Sequence, residues 1–251
     1  MTAERWFTDR ELQEMARPTM DRAIELLAEG RGDEAAELCG EMKHEWRFLH
    51  DAMAEQILGL ISFIADRLGE DAVEQAWQAL LEPMWHDRAG KILAQDRRAI
   101  VKALAATWRA HSTSGVGPMP GSFTITEDDE KFTFAMNPCG SGQRLVRLGR
   151  YEASPLYGFT REAHDWSYDR EGFPLYCSHC SFMNESLPIK WYGMPLYPSV
   201  PPLDYSSDPC TWYWYKNPDD IPEQYWRRYG ATKPPAGSDR DSTGEEVKEP
   251  S

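Results

Sequence analysis

The sequence predicts an α+β protein: an N-terminal helical bundle packed on a Cys- and aromatic-rich, mostly antiparallel β/loop half that binds a metal. Three observations lead there. Residues 1–112 hold only two prolines, Pro18 and Pro83, whereas residues 113–230 hold thirteen. Nineteen of the thirty aromatic residues lie at 151–230. Four of the five cysteines, Cys139, Cys177, Cys180 and Cys210, fall in the second half. Proline-poor stretches rich in Ala, Leu, Glu and Arg read as helices, and proline-punctuated aromatic stretches read as short strands and turns. The domains expected are 1–112, helical; 113–230, Cys-rich and metal-binding; and 231–251, a disordered acidic tail that lacks aromatics and holds a single Val.

The helices announce their ends. Thr8 and Glu11 have the spacing of a capping box, and Asp33 follows Gly30 and Gly32 as a second start. From there Trp46, Leu49, Met53, Ile57, Leu60 and Ile64 keep the three-to-four spacing of one buried face, and Gly69 ends the run. A third helix follows, with Pro83 expected to break or kink it, and a fourth is expected from Asp96 to His111. An antiparallel bundle of four to six helices is the natural packing.

The second half opens with a loop at 112–122. "FTITEDDEKFTFAMNPC" reads as a β-hairpin, with Phe123 and Ile125 alternating, a turn at Glu127–Glu130, and Phe132, Phe134 and Met136 alternating on the return. The proline-rich run at 193–210 is expected to wrap the surface in extended form. "CTWYWYK" suits a strand, and "PDDIPEQYWRRYG" a short closing helix.

The formal charge is −14 and the pI is near 4.9. So acidic a chain is repelled by phosphate backbones and anionic membrane surfaces, which argues against nucleic acid and membrane as partners. The start shows no apolar signal region, and the longest apolar run, "ILGLISFIA", is shorter than a bilayer span. A cytoplasmic protein is expected, and in a reducing compartment five cysteines read as thiols or metal ligands.

"LYCSHCSFMNE" carries the chemistry. Cys177 and Cys180 form a Cys-x-x-Cys, whose spacing lets both sulfurs face one tetrahedral ion. Cys139 and Cys210 each follow a proline at a strand edge, and together the four make a ligand set. Cys39 stands apart on a helix. Thiolate-rich sites select zinc, with iron as the alternative. A redox Cys-x-x-Cys is disfavoured because no helix-forming run stands directly behind it. His164 and His179 offer nitrogen, so a closed four-sulfur site and a site with an open position both remain.

Candidates for catalysis surround this set. "CGSGQR" places glycines behind Cys139, where exposed backbone N–H groups suit an anion. Arg144 and Arg147 are candidate carboxylate anchors. His164, beside Asp165, is a ligand or a general acid/base. In the helical half, Glu41 and His44 at Glu-x-x-His spacing read as a solvated face, while His50–Asp51 and His86–Asp87 are placed to lend side chains to the other half.

The acidic hairpin leading into a cysteine, "TEDDEKFTFAMNPC", with a helical first half and a later cysteine beside a final strand, resembles the L-2-amino-thiazoline-4-carboxylic acid hydrolase family over about 45–215. "YCSHC" and the proline-rich insert depart from it. The resemblance implies hydrolytic opening of a small heterocycle near Cys139, Cys177 or Cys180, and Cys210. The functional expectation is a zinc-dependent enzyme that hydrolyses or cleaves a small polar, heterocyclic or anionic molecule. Cys139, His164 and Arg144 would act in catalysis, and Cys139, Cys177, Cys180, Cys210 and His164 would supply the ligands. The alternatives are a non-catalytic binding or adaptor protein with a structural four-cysteine zinc, and an iron-dependent redox protein.

Overall fold

The computed structural model describes residues 6–112 and 121–238. The chain divides into two compact units, with the boundary between His50 and Asp51. That boundary falls inside a helix, not at residue 112 as the composition shift suggested. The expected loop at 112–122 lies outside the described residues over 113–120, as does the tail beyond 238.

The first unit is helical. Helix α1 (Asp9–Met15) starts with the expected capping box: Thr8 Oγ1 accepts from the Glu11 N–H, and Glu11 accepts from the Thr8 N–H at 2.7 Å. Helix α2 (Thr19–Ala28) buries Ala23, and the first part of α3 (Gly32–Leu68) buries Ala35 and Leu38. Arg31 bridges Glu29 and Glu34, and Arg17 bridges Glu14 and Glu25.

In the second unit α3 continues to Leu68, and Gly69 at φ +91 ends it. The buried stripe overlaps the expected one only at Ile57 and Ile64, which pack against the core. Met53 and Leu60 are exposed, and the inner face is Ala54, Leu58, Ile61 and Ala65. Ile61 and Ala65 share a core with Trp166, Leu175 and Phe182, and Ala54 and Leu58 with Tyr151 and Tyr176. Ala54 and Ala65 alternate with Leu58 and Ile61 along this face, small beside large, as close packing against aromatic partners requires. An 18-residue window of α3 reaches a mean hydropathy of 1.3, long and apolar enough by composition to cross a bilayer, although a core helix passes the same test.

Helix α4 (Asp71–Leu93) runs through Pro83 without a break. After it, Asp96 accepts from the Ala99 N–H at 2.7 Å and leads into α5 (Val101–Ser112). The hairpin is as read: β1 (Phe123–Glu127) pairs antiparallel with β2 (Lys131–Met136). A short helix, α6 (Gly142–Arg147), follows. Further on, α7 (Ser178–Ser181) passes through a π-helical turn (Phe182–Ser186) into α8 (Leu187–Tyr192). Strand β3 (Ser199–Val200) and strand β4 (Cys210–Tyr215) complete an antiparallel sheet of order β1-β2-β4-β3, and α9 (Gln224–Arg227) closes it.

Three expectations are corrected here. Residues Met194, Leu196, Tyr197 and Ser199 of the proline-rich run are buried, because they form and flank β3 instead of wrapping the surface. A helical run from Ser178 to Tyr192 does stand directly behind the Cys-x-x-Cys. Part of the expected tail is tied down, since Lys233 donates to the carbonyls of Asp219 and Ile221. Ala89, Leu104 and Trp108 from α4 and α5 share a core with Phe134, Met136, Trp212 and Trp214 of the sheet. These helices and the sheet therefore fold as one body, which is why no domain boundary separates them.

Candidate functional site

All four second-half cysteines line one cavity of about 20 Å³, room for a single water or ion. Three separate segments bring them there. The sheet register sets Cys210 opposite Met136, three residues before Cys139, so both lone cysteines reach the same end of the β2–β4 pair. Cys177 ends a 3₁₀ turn that runs into α7, and the three-residue spacing puts Cys180 on the same side. Gly142 lets α6 meet this turn closely, because a Cβ there would stand 2.5 Å from the Cys177 sulfur. Cys39 lies on α3 in the first unit.

None of the five cysteines is in a disulfide. Burial pushes the thiols of Cys177, Cys180 and Cys210 up, and a charge on Cys139 would raise all three further. Burial also raises Cys139, while the backbone N–H groups of Gln143, Ser141, Arg144 and Gly142 pull against it. The amides that "CGSGQR" was expected to aim at a ligand are thus aimed at the sulfur of Cys139 itself, with the Gln143 N–H at 3.2 Å.

The histidine at this cavity is His179, not His164. His179 Nδ1 stands 2.6 Å from the Tyr176 carbonyl, which only accepts, so Nδ1 carries the hydrogen. Nε2 then holds a lone pair, 3.3 Å from the Cys180 sulfur. Burial lowers the His179 pKa, opposed by that carbonyl, and so favours the neutral ring. A ring tautomer fixed this way is the usual support of a metal-ligating histidine.

His164 is engaged elsewhere: Nε2 meets Glu70 at 2.8 Å and the ring stacks on Trp166 at 4.4 Å. It is not among the residues lining the cysteine cavity. Arg144, expected to anchor a substrate, is buried and donates to Asp51 at 2.6 Å. Arg147 donates to the Tyr205 carbonyl at 2.6 Å and to Asn137. Asp51 does lend its side chain across from the helical segment, but to an arginine and not to the cavity.

Among the described residues no group of three or more His, Cys, Asp or Glu is close enough to hold a metal ion as the side chains stand. The donor chemistry fits a thiophilic ion, with soft sulfur, a neutral imidazole and a volume for one ion, provided the sulfurs draw in. The sequence analysis missed Gln143, Tyr168 and Ser199, which also line the cavity. No local signal marks them, since each is placed by long-range hydrogen bonds.

The fold and site define an α+β protein with a buried cavity lined by four free thiols and one imidazole. No protein-family model, curated protein or solved structure matches the chain.

Proposed function

We propose that Cys139, Cys177, Cys180 and Cys210 hold one zinc ion, with His179 as the nitrogen donor beside them, in an enzyme that hydrolyses or cleaves a small polar molecule. The observation that carries this reading is the meeting of four unpaired cysteines from three chain segments at one ion-sized cavity. A bound zinc supplies a Lewis acid and an activated water. An open position for water needs two of these five donors to stay off a four-coordinate ion, and the resemblance to the aminothiazoline-carboxylate hydrolases favours hydrolysis. Iron is the alternative ion. Free thiols throughout suit the cytoplasm.

A second reading, a structural four-cysteine zinc in a binding or adaptor protein, is favoured by the cavity volume, which admits an ion or water but no organic molecule whole. The helix behind Cys180 removes the objection to a redox Cys-x-x-Cys but adds nothing for it.

The test is elemental analysis of protein purified without a metal-affinity tag, on wild type and on five single Cys→Ser variants. About one zinc per chain, kept in Cys39→Ser and lost from the other four, is expected. Equal metal content in all variants, or none in wild type, refutes the site. Chelation then separates the readings: a structural ion takes folding free energy with it and the melting temperature collapses, whereas an exchangeable one leaves the fold standing.

A further inference from the structure

Helix α3 carries an apolar seam that its own chain leaves bare. From Trp46 the residues Leu49, Met53, Gln56, Leu60 and Phe63 follow at alternating steps of three and four, the a and d positions of a heptad repeat. In the second unit Met53, Leu60 and Phe63 are 48%, 66% and 49% exposed. The helix cannot turn these residues inward, because its other side already fills two cores through Ala54, Leu58, Ile61 and Ala65. An open groove of about 740 Å³ runs beside them, lined by Gln56, Gly59, Leu60 and Phe63 of α3 and by Leu156 and Tyr157. Tyr157 is held against the helix, its ring 3.4 Å from the place a Cβ on Gly59 would take.

Charge narrows what can cover this surface. The chain carries −14, so two copies repel each other in general, yet no a, d, e or g position from Ala52 to Ile64 is charged. A basic partner finds no carboxylate in the seam to pair with, and an equally acidic copy meets no like charge there.

The area agrees. Met53, Leu60, Phe63 and Leu156, which is 36% exposed, together offer roughly 400 Å² of apolar surface per copy. A pair hides about twice that, which is the apolar share of an interface of about 1,400 Å², within the standard size for a specific complex.

Gln56 argues against lipid as the cover. A bilayer leaves an amide in the seam without a partner, whereas a two-fold axis beside Gln56 sets two amides, each both donor and acceptor, against each other.

We propose that α3 docks on α3 of a second copy of this chain through Met53, Gln56, Leu60 and Phe63, forming a two-fold dimer with Gln56 at its centre. The groove shares no residue with the cysteine cavity, so the dimer stands or falls apart from the metal reading.

Sedimentation of the full-length protein is the test. At micromolar concentration the expected particle has twice the 28.8 kDa mass of the chain. Leu60→Glu and Phe63→Glu each place a charge that the dimer must bury twice, and should raise its Kd at least about a hundredfold. Leu203→Glu, on an exposed residue off the seam, should leave the Kd unchanged. Gln56→Leu removes the polar residue from the seam and should lower the Kd about tenfold. Circular dichroism should be the same for all four variants, since each altered side chain is exposed in the monomer. A wild-type monomer, or a dimer that survives both glutamate substitutions in the seam, overturns the proposal. A monomer that floats with neutral phosphatidylcholine vesicles overturns it as well and makes lipid the occupant.

Discussion

Gln143 and Cys139 grip each other twice: the Gln143 N–H donates to the Cys139 sulfur at 3.2 Å, and the Gln143 side-chain oxygen accepts the Cys139 N–H at 3.0 Å. The same side chain donates to the carbonyls of Tyr205 and Asp208, just before Cys210. One buried glutamine thus sets the separation of the two lone cysteines.

Gln143→Ala should leave the Asp208 carbonyl and the Cys139 amide without these partners at once, while the Tyr205 carbonyl keeps Arg147. We expect a loss of about 2–4 kcal/mol in urea unfolding, at about 1–3 kcal/mol for each buried group stranded and with some relaxation. Zinc uptake should weaken with it. Unchanged metal affinity in a folded Gln143→Ala protein would show that the turn holds its shape without this clamp.

Two glycines should respond in opposite ways to alanine. At Gly142 a Cβ meets the Cys177 sulfur at 2.5 Å and Tyr176 at 3.0 Å, so Gly142→Ala should destabilise by about 1–3 kcal/mol. At Gly40, inside α3, nothing stands within 4 Å, and Gly40→Ala should stabilise by about 0.5–1 kcal/mol. Thermal melts of the pair measure both signs.

Glu70 gives a pH signature. Burial raises its carboxyl, but hydrogen bonds from the Arg161 amide, His164 and the Glu162 amide outweigh this and hold it below its ordinary value. A folded value below the unfolded one means stability that is present above about pH 4.3 and is lost as pH falls through the folded value. Glu70→Gln should therefore cost about 1–3 kcal/mol at pH 7, and the gap from wild type should close towards pH 3. A gap of constant size across that range would contradict the assignment.

Removing one partner of the Glu185–Arg228 pair should be worse than removing both. Glu185 has no exposed surface, so Arg228→Met strands a buried carboxylate, at about 3–5 kcal/mol. The double variant Glu185→Gln with Arg228→Met should recover most of that loss in chemical denaturation.

The sequence by itself determined the helices, the hairpin, the aromatic strand and the identity of the four cysteines, because periodicity, turn residues and a three-residue spacing are local and survive in the linear chain. It caught the face of α3 only at its edge, where Ile57 and Ile64 pack against the cores, and missed Ala54, Leu58, Ile61 and Ala65 at its centre, because which of two overlapping periodic stripes is central depends on the elements opposite. It put the domain boundary where composition changes, although a core shared by α4, α5 and the sheet ignores composition. Only the tertiary structure decided which charged groups face the cavity. His164 and Arg144 look free in sequence, yet their carboxylate partners Glu70 and Asp51 lie 94 and 93 positions away. His179, tied to a carbonyl three residues back, took the place at the sulfurs. A buried polar side chain must find its partner wherever the fold supplies one, and that search is settled in space and not along the chain.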